Sequence, residues 1–228
     1  MERTRLLLDG TPVEIDVPDA NALPESTSIG VIRVGRQEIE LTASGIEGCE
    51  FFLASTRTTP GSPLRLPDGR QLRLGDVGGD PTHGTAFVVE LGEYRLFGSV
   101  PPAVSRTDLA GWLGLTMLDV GAHGVTVTLS PPARWVAERP LAVAQHVRTE
   151  DGTQYLLDIR RTTDRTPEPP LAGGLAVRGG RLHRSVHSDV RRHVILESRN
   201  FISYALPLSE SDVDRVVSSM EHVTTETG

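Results

Sequence analysis

Short alternations of apolar and polar residues run through this chain and predict many β-strands. Residues 4–8 and 13–17 flank Asp9-Gly10, a dipeptide that supplies the positive φ of a tight turn, so they predict an opening hairpin. The further strands predicted in the first half are residues 29–34, 38–41, 50–55, 71–74, 86–91 and 94–100. Those predicted in the second half are residues 125–129, 141–147, 154–160, 175–177, 194–197 and 201–206.

Two helices are predicted, each after a run of strands. The first, at about residues 105–118, starts at Ser105 as the cap, with Asp108 near the positive end of the helix dipole. The second, at about residues 209–222, has Ser209 and Ser211 as capping candidates. Its apolar stripe consists of Val213, Val216, Val217, Met220 and Val223. Turn-rich segments at residues 18–28, 59–69, 75–84 and 162–174 are predicted to be loops.

Similar segments recur about 104 positions apart. Residues 47–53 resemble residues 151–157, and both are followed by Arg-Thr-Thr, at 57–59 and 161–163. The start of the first predicted helix matches the start of the second at the same offset, and residues 88–101 match residues 194–207 at an offset of 106. Self-similarity at a nearly fixed period indicates repeated structural units.

The fold class predicted is therefore α+β, with two tandem, internally homologous β-rich units related by a pseudo-twofold axis. Each unit consists of antiparallel strands closed by one C-terminal helix. Residues 1–118 form the first predicted unit and residues 119–228 the second. We expect the backbone of residues 29–118 to superpose on that of residues 133–222.

Composition excludes several classes of chemistry. The chain has 228 residues and a net charge of −7, and its 23 basic residues are all arginine. Without lysine there is no Schiff-base or P-loop lysine. The one cysteine, Cys49, excludes an intramolecular disulfide and favours a reducing compartment. Because Cys49 alternates with Phe51 and Leu53, it is predicted to be a buried small side chain rather than a nucleophile.

No stretch approaches the ~20 apolar residues needed to cross a bilayer, and residues 1–9 do not resemble a signal peptide. We therefore predict no membrane span and a cytoplasmic location.

Residues 178–199 are a basic segment in an otherwise acidic chain. Six arginines against Asp189 and Glu197 give a local balance of +4. Planar guanidinium groups bind phosphate and carboxylate with paired hydrogen bonds, so this segment is a candidate anion or nucleic-acid face. The alternative is a solvent-exposed hairpin whose arginines pair with the acidic last helix. The candidates are Arg178, Arg181, Arg184, Arg191, Arg192 and Arg199.

His183 and His187 are weak candidates for a metal site. Two histidines four residues apart share one face of a helix and can bind a single zinc ion. Here Gly179-Gly180 indicates a hairpin strand instead, in which residues four apart lie ~13 Å from each other. No metal is therefore expected.

No cofactor motif and no catalytic arrangement stand out, so no cofactor is expected. We predict a non-catalytic cytoplasmic binding protein, an adaptor or a subunit of a larger protein assembly, with a protein partner or a second copy of itself. Two alternatives stay open. The first is nucleic-acid or anion binding by residues 178–199, and the second is a small hydrolase or cyclase with its pocket between the two halves.

Overall fold

A computed structural model describes residues 2–163, 173–184 and 193–228. These residues form mostly antiparallel β-sheet with three α-helices, which confirms a β-rich α+β fold. The helices are α1 (Ile46–Ser55), α2 (Arg106–Leu113) and α3 (Val213–Met220). Among the described residues, none of the helices is long and apolar enough to cross a membrane.

Most strands are short, and many are joined to the next strand by a turn of a few residues. Those before α2 are β1 (Glu2–Leu6), β2 (Pro12–Asp16), β3 (Ala20–Val34), β4 (Gln37–Gly45), β5 (Leu64–Arg65), β6 (Gln71–Asp76), β7 (Thr85–Leu91) and β8 (Tyr94–Val100). Those after α2 are β9 (Thr116–Gly121), β10 (Gly124–Leu129), β11 (Arg134–Trp135), β12 (Ala142–Thr149), β13 (Gln154–Arg161), β14 (Leu175–Val177), β15 (Gly180–Arg184), β16 (Val194–Glu197), β17 (Phe201–Pro207) and β18 (Thr224–Thr227).

The chain divides into two compact units. The terminal unit comprises Met1–Leu7, Thr11–Ser26 and Ala137–Gly228, so it holds both ends of the chain. The central unit comprises Leu8–Gly10 and Thr27–Val136. The boundary predicted between residues 118 and 119 falls within β9 of the central unit.

In the terminal unit, six strands lie in the order β12-β13-β17-β16-β15-β14. Helix α3 packs on β16 and β17 and buries the predicted residues Val216, Val217 and Met220. The Tyr155 hydroxyl lies 3.0 Å from the Ser219 hydroxyl of this helix, which places Tyr155 on the helix side of the sheet. The predicted hairpin of β1 and β2 is confirmed, with β18 added to its open edge.

In the central unit, β3 from Thr27 onward begins the order β3-β4-β8-β7-β6-β5. If the six strands of each unit are numbered in chain order, both units arrange them across the sheet in the order 1-2-6-5-4-3. Helix α2 buries Leu109 and Leu113, and β9 and β10 form a separate hairpin. In each unit a closing helix follows the sixth strand.

Three predicted elements are corrected by the structure. Residues 50–55 are not a strand but belong to α1, so the similar segments at 47–53 and 151–157 compare a helix with β13. Residues 18–28 are not a loop, because β3 begins at Ala20. The first closing helix ends at Leu113, and Met117, predicted as helical, lies in β9 with 67% of its surface exposed.

Candidate functional site

The arginines of the predicted anion-binding face form separate local contacts. Arg178 forms an ion pair with Asp16 at 3.3 Å, and Arg184 forms one at 3.5 Å with Asp214 of α3. The second pair agrees with the alternative in which these arginines contact the acidic last helix. Arg181 lies on β15 three residues before Arg184, so the two side chains point to opposite faces of a regular strand.

Arg199 lies in the turn between β16 and β17, and Arg191 and Arg192 lie outside the described residues. The four described arginines therefore do not share one surface, and their use in nucleic-acid binding stays a prediction.

His183 is buried, and its Nε2 lies 3.2 Å from the carboxylate of Glu197. An added Cβ on Gly174 would come within 2.6 Å of the imidazole, so the ring is enclosed on that side as well. The second metal candidate, His187, lies outside the described residues. In the ranges the structure describes, no three His, Cys, Asp or Glu side chains come together as a metal site.

Cys49 is buried against Val88 and Phe97. Burial is the main cause that raises the pKa of its thiol from 9.0 to about 11, opposed by the nearby charge of Arg95. At neutral pH the nucleophilic thiolate is therefore scarce. This contact agrees with the predicted role of Cys49 as a small core residue.

The helix that carries Cys49 is attached to the central sheet by one face. Cys49, Phe52 and Leu53 have the i, i+3, i+4 spacing of a helical stripe and pack on β7 and β8. The rings of Phe52 and Phe97 have centroids 5.0 Å apart, within the range of favourable aromatic pairs. The helix ends at Ser55 and is capped by Thr56, whose hydroxyl donates to the Phe52 carbonyl at 2.9 Å.

The opposite face of α1 is exposed. Glu47, Glu50, Phe51 and Ala54 follow the i, i+3, i+4, i+7 spacing, and all four are exposed. Phe51 has 76% of its surface in solvent, the largest value among the exposed apolar side chains described. Neither Glu47 nor Glu50 forms an ion pair with any described residue. We call these four residues the α1 outer face.

Sequence reasoning missed the α1 outer face because it assigned Phe51 to a strand, where it would share a face with Cys49 and Leu53. A helical reading of the same residues separates an apolar stripe of Cys49, Phe52 and Leu53 from an acidic stripe that includes Phe51.

A search of protein-family models, of curated proteins and of solved structures found no match to this chain. Functional assignment therefore depends on the geometry of the chain's own residues.

Proposed function

We propose that this protein is a binding protein that contacts another protein through the α1 outer face. One observation carries the proposal: Phe51 is 76% exposed on a helix that is already attached to its sheet by the opposite stripe. Burying a phenylalanine side chain on association contributes ~1.5–3 kcal/mol. A face with i, i+3, i+4, i+7 spacing and one large aromatic residue suits a helix that docks into a groove of a partner.

The charge of the α1 outer face defines the chemistry of the partner. Glu47 and Glu50 lie one helical turn apart and flank Phe51, without an ion pair to any described residue. Carboxylates at the rim of an interface favour a partner surface of opposite charge. The partner proposed is therefore a protein with an apolar pocket for Phe51 and arginine or lysine side chains around it.

The test compares two exposed apolar side chains of the central unit. Phe51→Ala and Met117→Ala proteins are used as bait in the source cells, and proteins captured by wild type are identified, purified and titrated against each variant. We expect Phe51→Ala to weaken binding about 30-fold or more, because truncation of an interfacial aromatic anchor costs ~2 kcal/mol or more. Met117→Ala should bind as wild type does.

The contribution of the two carboxylates is tested in the same titration with a double variant that carries both Glu47→Gln and Glu50→Gln. Added salt should weaken the wild-type complex more than the complex of this double variant. Equal affinity of Phe51→Ala and wild type for every purified partner would refute the proposal.

We further propose that the two units arose by duplication. The support is the shared strand order with a closing helix after the sixth strand. The similar stretches at residues 88–101 and 194–207 lie in corresponding strands, β7 with β8 and β16 with β17. The test is a profile built from homologues of residues 27–113 alone, which should match residues 142–220 of the same proteins. A profile that matches only its own half would contradict duplication.

Cytoplasmic location stays part of the proposal, supported by the single cysteine and its burial. Fractionation of the source cells tests it. The nucleic-acid and enzyme alternatives stay predictions.

A further inference from the structure

A concave site lies on the face of the terminal sheet opposite to α3. Its volume is about 240 Å³, and it is formed where the end of β13, the start of β17 and the segment before β12 meet. In the pairing of β13 with β17, Asp158 is opposite Tyr204 and Arg160 is opposite Ile202. Because residues two apart on a strand share a face, these four side chains project from the same side of the sheet.

Arg160 is held in place at this site by two contacts. Its Nε and Nη2 donate to the Asp158 carboxylate at 3.0 and 2.6 Å. Its guanidinium carbon lies 4.9 Å from the centre of the Tyr204 ring, a cation–π distance. In the described part of the chain, Nη1 of Arg160 has no acceptor. A fixed guanidinium with unused donors is prepared to bind an anion with little loss of conformational entropy.

A second arginine, Arg139, can present its guanidinium to the same site. Arg139 is exposed and forms no hydrogen bond or ion pair with any described residue. Arg161 also borders the cavity, but it follows Arg160 directly in β13, so its side chain points to the α3 side of the sheet, where its Nη1 donates to the Thr11 hydroxyl at 2.9 Å. Arg160 is already paired with Asp158, so on this face Arg139 is the lining guanidinium group that has no carboxylate partner among the described residues. The site therefore matches a ligand with a single negative charge.

The remaining lining is apolar. Pro140, Ile202 and the ring of Tyr204 form a wall beside the guanidinium groups. Sites for drug-sized ligands occupy ~300–1,000 Å³, so this cavity fits a smaller molecule. We propose that the site binds a small organic monocarboxylate, with the carboxylate on Arg139 and Arg160 and the apolar body against Tyr204. A dianionic phosphate ester would exceed the positive charge available.

The experiment uses the full chain and benzoate as the probe, with neutral benzamide and dianionic phenyl phosphate as matched ligands, in isothermal titration calorimetry. Arg139→Gln should weaken benzoate binding about tenfold or more, because a charge-assisted hydrogen bond is lost. Arg160→Lys should also weaken it, since lysine keeps the charge but not the planar fork. Arg65→Gln, an exposed arginine of the central unit without a described partner, is the control and should bind as wild type does.

Equal binding of benzamide and benzoate would overturn the proposal, because the carboxylate would then contribute nothing. Tighter binding of phenyl phosphate would overturn the assignment to monocarboxylates. Absence of benzoate binding to wild type, or equal weakening by Arg65→Gln and Arg139→Gln, would also overturn it. Unchanged thermal unfolding of the Arg139→Gln and Arg65→Gln variants shows that each variant is folded when it is titrated.

Discussion

The six-strand arrangements of the two units carry different side chains in rows of directly paired residues. In each unit, one residue from each of four neighbouring strands forms a row of directly paired residues. Numbered in chain order, these strands are the second, sixth, fifth and fourth. In the central unit the paired residues are Thr42, Phe97, Val88 and Arg73. In the terminal unit they are Asp158, Tyr204, Ile195 and His183. Helix α1 packs on Val88 and Phe97 of the central row, whereas Tyr204 of the terminal row lines the concave arginine site.

This difference shows how one strand arrangement can carry two kinds of surface. Under α1 the sixth-strand position is Phe97, 4% exposed and stacked on Phe52. In the terminal row the sixth strand contributes Tyr204, half-buried, with Arg160 over its ring and His193 at 5.9 Å between ring centroids. An aromatic residue with a polar end suits a surface that meets water, and a fully apolar one suits a covered surface.

The largest effect is expected from truncating these two aromatic residues. Phe97→Ala should lower the free energy of unfolding of the central unit by ~3–5 kcal/mol, because it leaves a cavity beneath α1. Guanidinium unfolding followed by tryptophan fluorescence measures this, since both tryptophans, Trp112 and Trp135, belong to the central unit.

Tyr204→Ala is the matched variant in the terminal unit, followed by circular dichroism. We expect a loss of about 1 kcal/mol, because the Tyr204 ring is only partly buried and its cation–π contact with the exposed Arg160 is weak. Similar losses for Phe97→Ala and Tyr204→Ala would mean that the two faces are equally covered.

Alkaline pH should destabilise the two units over different ranges. Burial raises the pKa of Tyr155 from 10 to about 12, although its hydrogen bond to Ser219 opposes the shift. An acid with a raised pKa stays neutral in the folded state while the unfolded chain ionises. The stability that Tyr155 contributes is therefore complete below pH 10 and is lost as the pH rises to about 12. The loss is about 2–3 kcal/mol.

Cys49, with its pKa raised to about 11, acts in the same direction in the central unit, but from pH 9 upward. The test measures the free energy of unfolding against pH at a fixed guanidinium concentration. Compared with wild type, stability should fall less steeply above pH 10 for Tyr155→Phe, and less steeply from pH 9 for Cys49→Ala. A pH profile unchanged by Tyr155→Phe would contradict the burial of this hydroxyl.

A smaller difference in stability is expected between substitutions at the starts of the two closing helices. The Ser105 hydroxyl accepts from the Asp108 backbone N–H at 3.0 Å and donates to its carboxylate at 2.7 Å. Ser105→Ala should cost about 1 kcal/mol, as loss of a helix cap does.

Neither of the two capping candidates of the second helix, Ser209 and Ser211, caps α3 with its side chain. A 3-10 turn, Glu210–Asp212, precedes α3, and the Ser209 hydroxyl contacts Ser211 instead. Ser209→Ala should therefore leave thermal unfolding nearly unchanged, within ~0.5 kcal/mol. An equal cost for Ser105→Ala and Ser209→Ala would contradict these two cap geometries.

The smallest effect on stability is expected at Phe51. Because the side chain is largely in solvent, Phe51→Ala should change the free energy of unfolding by less than ~0.5 kcal/mol. Its neighbour Phe52 packs on Phe97, so Phe52→Ala should lower the free energy of unfolding by about 2 kcal/mol or more. Chemical unfolding of both variants tests this, and a large loss for Phe51→Ala would show that the ring is needed for folding rather than for binding.

Much of the sheet was predictable because alternation and turn residues act locally. Asp9-Gly10 marked the first hairpin, and Gly10 takes the required positive φ of 87°. The α1 segment was misread because Cys49, Phe51 and Leu53 satisfy a strand period, while Cys49, Phe52 and Leu53 equally satisfy a helical one. Short apolar runs of this kind are ambiguous by periodicity alone.

The concave site was not predictable from the sequence. Arg139, Arg160 and Tyr204 are separated by 21 and 44 positions, and they meet only through the pairing of β12, β13 and β17. The predicted arginine cluster, by contrast, was contiguous in sequence but is divided by pairing with Asp16 and Asp214. Closeness along the chain did not produce a shared surface, because neighbouring strand residues alternate between faces.

The most direct test of the difference between the two faces is an amide chemical-shift map of the full chain titrated with benzoate. We predict shifts at residues 138–140, 158–162 and 202–204, with none in the central row at Thr42, Val88 and Phe97. Shifts in both rows, or shifts confined to α1, would contradict the view that an anion binds beside Tyr204 of the terminal row while Val88 and Phe97 of the central row are covered by α1.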